Sequence, residues 1–356
     1  MASTPDDHLH DHLLDADADA VPLAPWRLAW RSKADDRPLP AVPATSHDRQ
    51  RAAAHDHALD VDALLAESQR APKALAERTV LYLAYGSNMS ARTFRHTRGI
   101  EPLSQLAVCV PSLALAFDLA GLPYLEPCFA AAQHRDQEQH QHSNPDHAPL
   151  LAAHDAASWH KPLVGVVYEV TLADYARIIA TEGGGASYTD LTVDCFPFAD
   201  DHHHHHHRPY DPAAPVPARP ATTPFRAHTL LAPARHSANS RARRPGYPQP
   251  SPRYLALLVA GAREHRLPHE YRAHLATLQP YRATTARQRV ARVLFALMWA
   301  PPLLALMSLG AALADQRGRT PCWLAALHNR LFAAIWWTYD LGFARVFGDG
   351  ERTIGT

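Results

Sequence analysis

The sequence predicts an α+β fold followed by an apolar, helical C-terminal region, and three observations carry that expectation. Short β-rich runs such as "VLYLAY" (Val80–Tyr85) and "GVVYEV" (Gly165–Val170) have the length of buried strands. They alternate with stretches whose apolar residues fall on one helical face, at 172–182 and 251–282. From Leu294 to Ala314 the chain then carries no charge.

Residues 1–78 mix Asp, His, Ala and Pro without sustained periodicity and read as a disordered N-terminal region, with one short helix expected within Ala58–Arg78. The first twenty residues are acidic and lack an apolar core, unlike a secretory signal or a mitochondrial transit peptide. A cytoplasmic protein is expected. The main domain is placed at 79–282, with low-complexity inserts at about 134–161 and 200–252. Within it, "LAVCVPSLALAFDL" is a second apolar stretch that Pro111 divides. Thr171 and Asp174 form a capping pair before "LADYARIIATEGG", where Leu172, Tyr175, Ile178 and Ile179 share a face and Gly183–Gly185 end the helix. "SYTDLTVDCF" alternates as a strand. Residues 251–282 read as helix, Leu-Pro break, helix.

Residues 283–356 form the apolar C-terminal region. The uncharged run is long enough to cross a bilayer, yet Pro301 and Pro302 sit in its middle. A second segment, Trp323–Phe347, is aromatic-rich and amphipathic. Membrane contact through 294–343, a buried helical pair, and two short helices meeting at the prolines all fit this pattern.

Charge and cysteines remove several function classes. Lys+Arg and Asp+Glu both number 35, so no basic field attracts nucleic acid. Cys109, Cys128, Cys195 and Cys322 form no CxxC pair, which suits a reducing compartment better than a disulfide framework or a zinc ribbon. The run His202–His207 lacks the fixed geometry of a defined metal site, and no metal is expected.

Two places carry chemistry. In "YLAYGSNMS" (Tyr82–Ser90) an apolar strand runs into Gly-Ser-Asn ahead of a helix start. This is either an ordinary turn or a nest of backbone N–H groups that holds a carboxylate or an oxyanion. Glu182 stands at a helix C-terminus, where the negative end of the macrodipole disfavours its ionised form. If it is also partly buried its pKa rises toward the range of a general acid/base; otherwise it is a surface carboxylate.

Together, "YGSNMS", the strand "GVVYEVT", the following helix and "EGGGASY" resemble the γ-glutamyl cyclotransferase family, and within it a fungal branch linked to gliotoxin biosynthesis. "PYLEPCFA" and "PSPRYLALLVAGAREHRLPHEYRAHL" resemble the same branch. The resemblance covers about 80–198 and 251–282. It implies a small mixed β-barrel with flanking helices and a pocket at the strand ends. It also implies intramolecular attack of a γ-glutamyl α-amine on its own γ-carbonyl, releasing 5-oxoproline and an amine or amino acid. Glu182 matches the general acid/base by motif position. Tyr85, Gly86, Ser87, Asn88 and Met89 match the substrate loop, and Tyr188 is a further candidate beside Glu182. Tyr124 and Glu126 are candidates for shaping the acceptor side. No metal or organic cofactor is implied, and the partner is a small γ-glutamyl molecule such as glutathione, a γ-glutamyl amino acid or a glutathione conjugate. The competing readings are a catalytically inactive, cyclotransferase-like binding or membrane-tethered module, and an integral membrane protein.

Overall fold

In the computed structural model, residues 39–135, 159, 161–181, 189–198, 210–231, 247–313 and 322–354 are described. Their strands are β1 (Thr79–Ala84), β2 (Ser104–Val110), β3 (Leu113–Leu122), β4 (Glu126–His134), β5 (Leu163–Thr171), β6 (Thr189–Pro197) and β7 (Phe225–Leu231). Five of them close into a barrel in the order β1-β5-β2-β6-β7, and β3 and β4 form a separate hairpin. Neighbours are antiparallel except at the closure, where β7 meets β1 in parallel, Tyr82 opposite His228.

The period-2 geometry of strands sorts the core. Leu81, Leu83, Val108, Val110, Val167, Val193, Cys195 and Ala227 fill the barrel interior as one cluster. The alternate residues Val80, Tyr82, Ala84, Val166, Tyr168 and Val170 point outward into a second cluster under the helices. Both faces of β1 and β5 are therefore covered, which explains why these strands read as continuous apolar runs.

Three helices cover the barrel. Helix α4 (Leu172–Thr181) follows β5, and its Leu172, Tyr175, Ile178 and Ile179 are all buried. Its cap is the expected one: the Asp174 N–H donates to Thr171 Oγ1 at 3.0 Å, and the Thr171 hydroxyl donates to Asp174 Oδ2 at 3.1 Å. Helices α5 (Pro252–Glu264) and α6 (His269–Thr277) complete the layer. Ser251 caps α5 by accepting from the Tyr254 N–H, and Pro252 stands at its first turn.

Two expectations about disorder are corrected. Residues 39–78 hold α1 (His47–Ala53), α2 (Val61–Arg70) and α3 (Pro72–Ala76). Ser46 and Asp60 cap the first two, and Ala53, Leu64 and Leu75 reach the core. The arm is sewn on by a parallel bridge between Ala44 and Gln105 and by Arg49, whose Nε lies 3.0 Å from Glu169. Each helix is too short to be stable alone, so only tertiary burial orders it. The second correction is β7, which lies inside the expected 200–252 insert and closes the barrel. Residues 1–38, and the remainder of both expected inserts apart from 134–135, 159, 161, 210–231 and 247–252, lie outside the described residues.

The C-terminal region is a helical pair, α7 (Ala286–Leu313) and α8 (Cys322–Thr338), continued by a π-turn at Tyr339–Phe343 and by α9 (Ala344–Phe347). Helix α7 passes through Pro301 and Pro302 without a break, so the reading of two short helices does not hold. Tyr124, at the β3–β4 turn with φ +63°, docks this pair. Its N–H donates to Gly350 O at 2.7 Å, its hydroxyl to Gly348 O at 2.6 Å, and its ring meets Phe295 and Tyr339 edge-on. Glu126, at the start of β4, pairs with Arg253 and Ser251 on α5. Both residues thus serve as joints between substructures. Leu75→Ala should lower stability to urea by about 2–5 kcal/mol, as a fully buried core side chain would and a residue on a disordered arm would not.

Candidate active site at the barrel rim

The chain leaves β1 at Ala84, and Tyr85 remains half-buried against both core clusters. Gly86 follows with φ −106°, a value open to any residue. What the position requires is space: a Cβ there would stand 3.2 Å from Tyr254 Oη and 3.6 Å from Ala130 Cβ. Ser87–Met89 form one 3₁₀ turn, closed by Met89 N–H to Gly86 O at 3.0 Å and Ser90 N–H to Ser87 O at 3.1 Å. The first N–H groups of such a turn make none of its internal bonds, and they point out along its positive end.

The turn is held from behind. Asn88 is buried, and its Nδ2 donates to Tyr82 Oη at 2.8 Å. Within the loop expected to bind substrate, the Met89 side chain is wholly in the core and its N–H closes the turn. It is the anchor of the loop. The Met89 carbonyl lies 2.9 Å from His265 Nε2 and accepts from the Tyr168 hydroxyl at 3.3 Å. The Tyr168 hydroxyl also lies 2.7 Å from His265 Nε2, so the carbonyl, the hydroxyl and the imidazole meet in one contact. Burial lowers the His265 pKa to about 4, partly offset by that carbonyl, and the ring is neutral at neutral pH. Glu264, the residue before it, accepts from the Ala91 N–H at 2.7 Å. Helix α5 comes close enough that a Cβ on Gly261 would stand 2.7 Å from the Met89 backbone carbon.

Tyr254 lines the outer side of the turn. Its hydroxyl accepts from the Ala130 N–H at 3.1 Å, and its ring meets Phe129 edge-on. The β3–β4 hairpin therefore forms one wall beside Gly86. Sequence inspection did not single out Tyr254, Tyr168 or His265. Their only signal is membership in apolar strands and helices, where an isolated polar tip looks like a core residue.

Helix α4 and β6 bring the chain to the same rim. Leu172 N–H bonds Arg78 O at 2.8 Å, so α4 starts level with the start of β1. Ten helical residues then rise about 15 Å, close to the about 17 Å that β1 climbs from Thr79 to Ala84. Beyond α4, β6 resumes at Thr189 opposite Leu231, at the rim where β1 runs into the turn. Glu182 and Tyr188 lie outside the described residues, as does His202–His207. Between α4 and the barrel wall sits a buried polar cluster: Asp190 accepts from the Leu59 N–H at 2.6 Å and from the Tyr175 hydroxyl, with His228 Nδ1 at 2.9 Å. It ties α4, β6, β7 and the N-terminal arm together. A shallow groove lined by Ser112, His134, Asp194 and Arg226 shares no residue with the turn.

A closed five-stranded barrel with a YGSNM turn on its rim and a helix climbing beside it defines the class to which the sequence pointed, a cyclotransferase-type barrel enzyme. The comparisons agree. Residues 285–346 match the model of the AclK C-terminal domain. The chain is 30% identical to the γ-glutamyl cyclotransferase aclK of Aspergillus oryzae over 281 residues, covering 77% of this chain and 91% of that one. It is 30% identical to the γ-glutamyl cyclotransferase gliK of Aspergillus fumigatus, covering 76% and 89%. A solved γ-glutamyl cyclotransferase structure overlaps 60% of this chain and 98% of its own at 16% identity, with a TM-score of 0.37. The chain belongs to the γ-glutamyl cyclotransferase family. It is an enzyme acting on a small molecule.

Two outcomes follow from the buttress. Gly261→Ala should lower stability by about 1–3 kcal/mol through overpacking, although alanine elsewhere in a helix gains about 1 kcal/mol over glycine. It should also cut kcat/KM by about tenfold to a hundredfold by displacing the turn. His265 sets a pH dependence. The unfolded ring takes up a proton near pH 6.5 while the folded one resists until about 4, so its contribution is intact above 6.5 and is lost as the pH falls. Denaturation of the wild type at pH 5 and pH 7 should differ by at most about 2 kcal/mol from this source, and His265→Gln should remove that component.

Proposed function

We propose that the enzyme releases 5-oxoproline from molecules bearing a γ-glutamyl group with free α-amine and α-carboxylate, and that Glu182 is its general acid/base. The observation that supports this most is convergence at one rim. The 3₁₀ turn opens there where β1 ends, and β6 resumes at Thr189 on the same rim, a few residues after position 182 in the chain.

In the proposed reaction the α-ammonium first gives a proton to the Glu182 carboxylate. The freed amine attacks the γ-carbonyl carbon, forming the lactam C–N bond and a tetrahedral oxyanion. Collapse breaks the original amide C–N bond, Glu182 returns the first proton to the departing nitrogen, and the ring nitrogen loses its second proton to water, so that neutral 5-oxoproline lactam and a free amine leave. No oxidant or co-substrate enters the balance. The nucleophile is part of the substrate, so folding the γ-glutamyl chain back on itself supplies much of the acceleration. The backbone N–H groups of Gly86, Ser87 and Asn88 hold the α-carboxylate or the oxyanion, with Tyr85 beside them and Tyr188 near Glu182. Clamping of Asn88 to Tyr82 and of Met89 to His265 favours this role, because a preorganised donor set needs no rearrangement during the reaction. The acceptor portion of the substrate lies toward the hairpin wall at Ala130 and Tyr254. Glutathione, γ-glutamyl amino acids and glutathione conjugates all present the same γ-glutamyl end.

Release of 5-oxoproline from such a panel should be measured for wild type and Glu182→Gln side by side. The variant should lose about 10²–10⁴-fold in kcat with KM little changed. Equal release by both proteins would show that the acid/base lies elsewhere, and no release from any substrate would remove the proposed reaction.

A further inference from the structure

The region from Val290 to Val346 is unlike the rest of the molecule. Among the described residues, every exposed large apolar side chain except Leu103 and Ile354 lies in it. Leu294, Leu297 and Met298 line the outer side of α7, and Trp323, Leu327 and Trp337 follow one stripe of α8 at helical spacing. The most exposed of them, Trp337, is 67% accessible. A patch of this extent marks an interaction surface.

The charge of the same segment indicates what covers it. Residues 285–346 contain seven arginines (287, 289, 292, 317, 319, 330 and 345) and two aspartates (315 and 340), an excess of five positive charges in a chain whose formal total is zero. The segment also holds four of the seven tryptophans, at 299, 323, 336 and 337. Tryptophan concentrates at the headgroup level of bilayers, and clustered arginines are drawn to anionic leaflets. A second copy of the chain would bring the same five-charge excess against itself. An anionic lipid surface complements both the apolar stripes and the charge.

The hairpin fits lying in that surface better than crossing it. Gln288, Ala291 and Phe295, in the first third of the apolar helix, are wholly buried in the protein beside Tyr124 and Tyr281. Asn329 and Arg330 stand exposed midway along α8, where a spanning helix would put them near the bilayer centre at high cost. We propose that residues 285–346 hold the enzyme in the interface of an anionic bilayer, with the stripes of α7 and α8 in the acyl boundary. Tyr124 then links this surface to the hairpin whose Phe129 and Ala130 border the Gly86 turn, so the bound enzyme keeps its rim near the lipid.

Flotation of the full chain with vesicles tests this, using phosphatidylcholine alone and phosphatidylcholine with about 30% phosphatidylserine. The expected result is co-flotation with the anionic vesicles, weakened by about tenfold or more in high salt and lost in the double variant Leu297→Glu/Trp337→Glu. Turnover of a soluble substrate by that variant should stay at the wild-type level, which shows that it folds; if it is inactive, the single variants Leu297→Ser and Trp337→Ser serve, each expected to weaken flotation. Three results would overturn the proposal. They are absence of binding to either vesicle, binding to neutral vesicles as strong and salt-indifferent, and a lipid-free dimer by analytical ultracentrifugation that these substitutions abolish.

Discussion

Closure of the barrel is the constraint on which the rest depends. Strand β7 joins β6 on one side and β1 on the other, so none of the five barrel strands is left with an open edge. Because β7 runs parallel to β1, both deliver their C-terminal ends to one rim, and β6 starts from that rim. Without β7 the alternate residues of β1, Leu81 and Leu83, would line an open trough. With it they face Ala227, Val193 and Cys195 in a filled interior. The position of the Gly86–Met89 turn is a consequence of that closure, since it is the first segment released when β1 ends.

A turn released at a rim is well placed only if it is held, and here the holding groups come from three elements, β1, β5 and α5 with its C-cap. Tyr82 on β1 grips Asn88, Tyr168 on β5 and His265 after α5 grip the Met89 carbonyl, and Gly261 lets α5 approach the backbone closely. Tyr82 and Tyr168 are buried in an aromatic layer in which Phe94 stacks on Tyr168 at 4.5 Å and on Tyr82 at 6.2 Å. Hydrogen bonds in such surroundings are costly to lose, so the turn is held in place by groups packed behind it. The Asp190 cluster does the same for α4 and β6, the two elements that flank residues 182–188.

The C-terminal helices are joined to this core through a narrow aromatic seam. Tyr124, Tyr281, Phe295, Ile335, Tyr339 and Phe343 make a core of their own, separate from the two barrel clusters. The left-handed backbone at Tyr124 turns its ring away from the β3–β4 hairpin and into that seam. One hairpin therefore contacts the rim at its Ala130 side and the helical pair at its turn.

Much of the catalytic half was legible in the amino-acid sequence. β1, β5, the Thr171 cap, the apolar face of α4, and α5 with α6 follow local rules of periodicity and capping, and local rules are readable one segment at a time. The turn at Gly86–Met89 was legible as a turn, and its family as a pair of motifs. The sequence alone did not reveal β7, the helices of residues 39–78 beyond the one expected within Ala58–Arg78, or the grip of His265 and Tyr168 on Met89. Phe225–Leu231 is seven residues amid proline and arginine, and it becomes a strand because β6 pairs with it along its whole length and β1 meets its other side at Tyr82 and His228. The short helices before β1 hold only because Ala53, Leu64 and Leu75 find cover. Composition and spacing determined which segments want to be buried; the tertiary structure decided which of the ambiguous ones are, because burial depends on partners distant in the chain.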